Sequence, residues 1–314
     1  LFFETLRAIW VRKPDVIHCA QIIETGWIVY LCKIIFGIPY IVHFYGEEIR
    51  IHRQRFLPRF LQSLVLKHAS GVSVLTRFTD QLLREHTGYA GATTLAYPGV
   101  DLESFGPLPG CERSSRPVLL TLGRLMERKG HDRVLEAVAR LRVDFPDLEY
   151  LIVGGGPYEA TLRSQVAGLG LSDCVKFLGR LPHAEVLRLL NSSNIFVHPN
   201  RELANGDVEG FGIVFLEASA CRLPVIGGDS GGAREAIQDG ISGFLVDPQD
   251  VDQIVDRVAQ LLRSPQLWTA MSEAGPDWAA QFTWDRSSRA LWELTLRALN
   301  PLQSGQSVVE NVQA

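Results

Sequence analysis

Short runs of apolar, often β-branched residues alternate along the chain with stretches whose apolar positions recur at three- and four-residue spacing. That alternation is the pattern of a parallel sheet wrapped by helices. The runs DVIHC (15–19), PYIVHF (39–44), GVSVL (71–75), PVLLTLG (117–123), LEYLIVG (148–154), VKFLG (175–179), IFVHP (195–199) and PVIGG (224–228) predict strands. Between them HDRVLEAVARLRVDF (131–145), AEVLRLLNSS (184–193) and VDQIVDRVAQLLRS (251–264) predict amphipathic helices. No internal repeat or low-complexity tract appears, and the expected fold class is α/β.

Two stretches change this picture. GWIVYLCKIIFGIPYIV (26–42) is dense enough in apolar residues to resemble a membrane span, but Lys33, Gly37 and Pro39 interrupt it. It also falls short of the ~20 clean apolar residues that a span requires. A helix, a turn at Gly37 to Pro39 and a buried strand are expected instead. FGPLPGCERSSRPV (105–118), rich in Pro, Gly, Ser and Arg, reads as an interdomain linker. The expected organisation is a first α/β unit over 1–107, a second over 108–282, a terminal helix over 283–299 packing back across both, and a polar, disordered tail over 300–314.

Composition then excludes several function classes. Of 314 residues 46% are hydrophobic and 21% charged, a soluble globular balance, and the net charge of -4 lacks the basic excess that nucleic-acid backbones require. The five cysteines (Cys19, Cys32, Cys111, Cys174, Cys221) are scattered and form no CxxC pair. They read as reduced thiols of a reducing, cytoplasmic compartment, which leaves the sequon at Asn191 little meaning. The eight histidines form no zinc-binding spacing. No signal-peptide pattern follows Leu1.

Candidate chemistry gathers where predicted strands pass into loops, the edge at which open α/β sheets bind ligands. GRLMERKG (123–130) hangs Arg124 and Lys129 from one such loop. Two cations there can hold a diphosphate, Arg as a fork and Lys as a point charge, although a solvated basic surface has the same look. GDVEGFGIVFLEA (206–218) is the second candidate. Gly210 and Gly212 permit close backbone approach, and a helix start near Ile213 offers free N–H groups and a positive dipole end. Its two acids, Glu209 and Glu217, are eight residues apart. Fully helical spacing would separate them by ~12 Å, beyond the ~5 Å and ~6.5–9.5 Å of glycosidase pairs, so an acid/base pair is disfavoured. VGGGP (153–157) lacks the GxGxxG spacing and reads as a strand-to-helix turn, while SGGAREAIQDG (230–240) is a glycine loop without specific chemistry.

GRLMERKGHD, LIVGGGP, VKFLGRLP, VHPNRE, EGFGIVFLEA, CRLPVIGGDSGGAREAI and DGISGFLVDP occur in an order that resembles the family 4 glycosyltransferases of the GT-B fold, and PGVDLESF (98–105) is similar to that family's segment before the linker. The resemblance runs from about Asp15 to Trp284. It implies two Rossmann-like domains facing across a cleft and retaining transfer of a hexose from a GDP- or UDP-sugar to a glycan or glycolipid. It further implies that Arg124 and Lys129 neutralise the leaving diphosphate without a metal or other cofactor. Glu209 would hold hydroxyls of the transferred sugar and Glu217 the donor ribose. Backbone at Gly210, Phe211, Gly212 and Ile213 would meet the phosphate, and the segment around Arg180 and Leu181 would face the base.

Two departures from the family accompany the match. Its His-Gly pair at the end of an early strand is represented by HFYGEE (43–48), where Tyr45 precedes Gly46. Residues 43 and 45 share one face of an extended strand, so either His43 or Tyr45 is the candidate to approach the sugar, and a buried structural His43 is the competing reading. The other departure is length: the resemblance implies roughly another half domain before Leu1, so the chain is expected to be a fragment. IRIHRQRFLPRFLQSLVLKHAS (49–70) carries basic and apolar residues but no acid. It fits peripheral contact with an anionic membrane or a solvated cleft wall. A sugar-nucleotide 2-epimerase and an inactive nucleotide-sugar-binding remnant are the competing functions.

Overall fold

The apolar runs become parallel strands in two separate sheets in a computed structural model that describes residues 2–46 and 56–300. Two compact units result: Leu1–Tyr97 with Asp285–Ala314, and Pro98–Trp284.

The first unit orders α1 (Phe2–Arg12), β1 (Ile17–Cys19), α2 (Ile22–Phe36), β2 (Tyr40–Phe44), α3 (Phe56–His68), β3 (Gly71–Val74), α4 (Arg77–Thr87) and β4 (Thr94–Leu95) into a sheet of order β1-β2-β3-β4. The run at 26–42 resolves as expected: α2 stops at Gly37, whose φ of 69° lets its N–H donate back to Lys33 O, and β2 begins at Tyr40. Alternate residues of β2 face opposite ways. Tyr40, Val42 and Phe44 join Val29, Val65 and Leu66, while Ile41 meets Leu294 and Ala298 of the last helix, Trp284–Leu299.

The second unit holds β5 (Val118–Leu122), α5 (His131–Leu141), β6 (Glu149–Val153), α6 (Glu159–Gly168), β7 (Val175–Gly179), α7 (His183–Ser192), β8 (Ile195–His198), α8 (Ile213–Ala220), β9 (Val225–Gly228), the single turn α9 (Ala233–Ala236), β10 (Gly243–Val246), α10 (Val251–Arg263) and α11 (Pro265–Ala279). All six strands are parallel in the order β10-β9-β8-β5-β6-β7. The central strands β8 and β9 are buried at every position, as a sheet covered on both faces requires. On α5 and α10 the predicted apolar stripes (Val134, Leu135, Val138, Leu141; Ile254, Val258, Leu261) enter one core with Ile152 and Ile195.

Strand order also determines where a ligand can enter. From β5 the chain proceeds through β6 to β7 on one side, then returns to β8 and proceeds through β9 to β10 on the other. Loops leaving neighbouring β5 and β8 therefore diverge, opening a crevice at the carboxyl edge between them.

The Pro/Gly/Ser/Arg-rich stretch lies within the second unit and is tied to it. The Arg113 guanidinium donates to the carbonyls of Leu190, Ser193, Cys221 and Arg222, the end carbonyls of α7 and α8. It also lies 5.6 Å from the Trp268 ring centroid. One side chain thus caps two helices. The last helix starts at Trp284, where the second unit ends, and its body counts with the first. Residues 49–55 of the basic segment and the tail after Asn300 lie outside the described residues.

Candidate active site

The crevice between β5 and β8 is floored by loops that fit without side chains. A Cβ on Gly154 would lie 1.8 Å from Gly123 O, and one on Gly156 would lie 2.3 Å from Leu125 O. The glycine run after β6 is therefore the bed on which the basic loop rests. Gly123 N–H donates to Val153 O, and Tyr158 N–H to Leu125 O. The turn expected at 153–157 thereby gains a purpose: it fixes the path of residues 123–125.

On this bed Arg124 is exposed, whereas Arg128 and Lys129 are 9% and 8% exposed. Lys129 Nζ donates to Glu209 Oε2, and Arg128 Nη1 donates to the same oxygen at 2.7 Å. Arg128 Nε lies 3.3 Å from Asp207 Oδ1. The sequence-derived pair Lys129 and Glu209 is thus brought into direct contact, with Arg124 beside it. Burial draws the Lys129 ammonium below its usual range, partly offset by Glu209. Burial pushes the Glu209 carboxyl upward, but Lys129 and Arg128 together outweigh it and hold it below the usual carboxylate range. Glu209 is a carboxylate at neutral pH.

The backbone of Glu209 is fixed from the opposite side. Gly232 N–H donates to Glu209 O at 2.9 Å, and a Cβ on Gly232 would lie 1.9 Å from Gly210 O. The glycine loop after β9, which carries no specific chemistry in sequence, is the second bed of the site. Phe211 is buried with its ring 5.5 Å from that of Phe282, so its side chain anchors the turn. Gly212 takes φ 88° and caps α8 without a side-chain hydrogen bond. The helix starts at Ile213, as the sequence predicts.

Glu217, one turn into α8, has a half-buried carboxyl with no hydrogen-bond or ion-pair partner among the described residues. Burial alone raises its pKa to about 7. Arg180 and Leu181 follow β7 at the same edge of the sheet, Arg180 exposed and Leu181 half-buried. Among the described residues no group of three His, Cys, Asp or Glu side chains is arranged to hold a metal.

Three features were not singled out in sequence. Arg128 and Asp207 complete the cluster, and no local sequence signal joins them. Arg201 makes a two-pronged pair with Asp132 at 2.8 and 3.0 Å, buried on both sides. This second strut joins the loop after β8 to the start of α5. Behind it His131 and His198 lie with ring centroids 5.9 Å apart, and burial pushes His131 down to about 3 and His198 well below its ordinary value. Both are neutral.

In the first unit His43 is 8% exposed, its Nε2 2.8 Å from His18 Nδ1 and its Nδ1 2.7 Å from Ser73 Oγ. Burial, then neighbouring His18, lowers it to about 4. Tyr45, just past the carboxyl end of β2, is 40% exposed.

Comparison with known proteins decides the family. The model for glycosyl transferases group 1 matches residues 111–278, and that for a glycosyl transferase 4-like domain matches residues 2–99. The chain belongs to the glycosyl transferases group 1 family. A curated member of this family from Mycolicibacterium smegmatis, a GDP-mannose-dependent alpha-(1-6)-phosphatidylinositol monomannoside mannosyltransferase, is 39% identical over 236 residues, 72% of this chain and 62% of the relative. The chain spans about three-fifths of the length of curated relatives such as this one. Among solved structures, sucrose-phosphate synthase from Thermosynechococcus elongatus superposes with a TM-score of 0.80 at 23% identity, covering 94% of this chain and 77% of that one. Anabaena HepE in complex with UDP and glucose gives 0.80 at 20% identity, covering 95% and 81%. The fold is GT-B, with two Rossmann-like units.

Proposed function

We propose that the protein is a retaining hexosyltransferase that moves mannose from GDP-mannose to a glycolipid acceptor. The observation that carries this reading is the cluster of Arg128, Lys129 and Glu209 at the switch point of the second sheet, with an unpartnered, half-buried acid, Glu217, one turn into α8. The activity of the 39%-identical relative supplies the donor and acceptor class.

Cleavage of the bond between the sugar C1 and the diphosphate oxygen loads charge onto the leaving phosphate. Fixed cations and the uncapped start of α8 stabilise that charge as it develops, where electrostatic catalysis is most effective. In this reading Arg124 and Lys129 take the diphosphate, and backbone N–H groups at Gly212 and Ile213 assist. No metal is assigned a step in this reading, which gives charge neutralisation to the side-chain cations. Glu209, fixed as a carboxylate, accepts from hydroxyls of the sugar, and Glu217 accepts from the ribose. The Arg180 and Leu181 segment borders the base. The acceptor hydroxyl attacks C1 on the face the phosphate leaves, and its proton passes to the departing phosphate oxygen, so configuration is retained without a protein nucleophile. Of His43 and Tyr45, Tyr45 is the one assigned to approach the sugar, because both ring nitrogens of His43 are engaged within its own sheet.

Incubation with GDP-mannose and a phosphatidylinositol-linked mannoside should give an α-linked mannosyl product and GDP, with chelator making no difference. An inverted linkage, epimerised donor, or GDP binding without turnover would each overturn it.

A lipid-linked acceptor requires access to a lipid surface. No helix among the described residues is long and apolar enough to cross a membrane. We propose peripheral contact through the basic segment 49–70, where the described part, α3, exposes Phe60 and Leu61 and ends in Lys67 and His68. The protein should sediment with phosphatidylglycerol vesicles at low salt and stay in solution with phosphatidylcholine; equal binding to both removes the electrostatic account.

A further inference from the structure

Arg128 belongs to the cluster but is assigned no contact with the substrate in the proposed transfer, yet it is one of the most thoroughly connected residues of the site. Its Nη1 donates to Glu209 Oε2 at 2.7 Å, its Nε sits 3.3 Å from Asp207 Oδ1, and its carbonyl accepts from Arg201 N–H at 2.8 Å. One residue of the loop after β5 thus holds the loop after β8 at three points. The segment it holds closes on itself. Leu203 N–H donates to Asp207 O at 2.9 Å, Gly206 N–H to Leu203 O at 2.8 Å, and Asp207 N–H to Asn205 Oδ1 at 2.9 Å. Asp207 is the closing residue of this small loop, and Arg128 is what ties it down.

Charge makes the same point independently. Arg128 and Lys129 together face Asp207 and Glu209, and Arg124 is close enough to act on Lys129. Without Arg128, Glu209 keeps only Lys129 of its two cations. A diphosphate would then compete with Glu209 for the Lys129 ammonium. A lysine at this position restores the charge but not the bridge, because a point charge cannot present two donors to two separate carboxylates in one plane as a guanidinium does.

The geometry points to Arg128 as a positioning residue of the donor site. It neutralises Asp207 and Glu209 together, pins the 203–207 loop to the basic loop, and leaves the Lys129 ammonium available to the leaving diphosphate. This assignment rests on the transferase reading.

The test compares the full chain with Arg128→Gln and Arg128→Lys. It measures GDP affinity by calorimetry, turnover of GDP-mannose across a salt and pH series, and amide hydrogen exchange over 203–209. Arg128→Gln is expected to weaken GDP binding about tenfold and lower kcat/KM about a hundredfold, the range for losing hydrogen bonds to charged groups. Exchange at 203–207 should accelerate. Arg128→Lys is expected to recover most of the GDP affinity while kcat and the fast exchange stay unrestored. Wild-type turnover in Arg128→Gln, or unchanged exchange at 203–207, overturns the assignment alone. Full recovery of kcat by Arg128→Lys reduces Arg128 to a plain counter-charge and overturns the bridging role. A wild-type chain that binds no nucleotide brings down the transferase reading and this assignment with it.

Discussion

Lys129→Ala is expected to lower turnover of GDP-mannose by about 10³-fold, the upper end of what removal of one preorganised donor to a developing oxyanion costs, while the protein stays folded. The asymmetry follows from the geometry. Lys129 and Arg128 share Glu209 Oε2, so removing the lysine leaves the buried carboxylate still paired with a guanidinium. Stability therefore falls little. On the proposed reading the leaving diphosphate, in contrast, loses a compact cation held in a buried site, where electrostatic interactions are less screened than in water. Circular dichroism and the thermal midpoint establish the fold, and single-turnover kinetics give the chemical step. Turnover within about tenfold of wild type would remove Lys129 from the chemistry.

Glu217 gives the second large effect, and it is linked to pH. Burial holds its pKa at about 7, far above that of a free carboxyl, and no partner among the described residues ionises it. A ribose hydroxyl donates to a carboxylate better than to a neutral acid, so nucleotide binding should pull the proton off. GDP affinity is then expected to rise from about pH 5.5 to about pH 8 and level off above the raised pKa. At about pH 6 calorimetry in buffers of different ionisation enthalpy should show close to one proton released per GDP bound. Glu217→Gln should abolish both the release and the slope, and Glu217→Ala should weaken binding by roughly 10- to 100-fold, the worth of hydrogen bonds to a charged group. The same shift acts on folding. A carboxyl whose pKa is raised in the fold stabilises it fully below the unfolded pKa and loses that contribution as pH rises through about 7. Glu217→Gln should thus flatten the fall in stability between the ordinary carboxyl range and that value. A pH-independent GDP affinity in the wild type would remove the ribose role.

Period alone made most strands legible, because those buried on both faces read as unbroken apolar runs, as IFVHP and PVIGG do. Two were missed. Thr94–Leu95 is only two residues long, and Gly243–Val246 is preceded by Ser242 in a run that reads first as a turn. The site was half legible. Arg124, Lys129, Glu209 and Glu217 are each placed by a motif, but whether cation and acid touch depends on which loops leave adjacent strands. That is a property of the order β8-β5, which no local window contains. Arg128 was hidden for the same reason: next to Lys129 it looks like a second surface charge, and only the approach of Asp207 and Glu209 from about 80 residues away gives it two partners. The stretch at 105–118 is held in place in a way its composition does not announce. Its glycines, prolines and serines look flexible, but Arg113 within it fastens four carbonyls of the second unit.

The glycine bed after β6 has a consequence for how this site can diversify. Residues 123–125 are held from below through main-chain atoms, at distances that exclude any Cβ on Gly154 or Gly156. The course of the basic loop is therefore independent of the side chains that the loop displays. A side chain that this loop displays to solvent can therefore be exchanged without moving the main chain that carries Lys129, so the loop can vary in what it presents while its scaffold stays constant. The two glycines beneath are the positions where such exchange is closed.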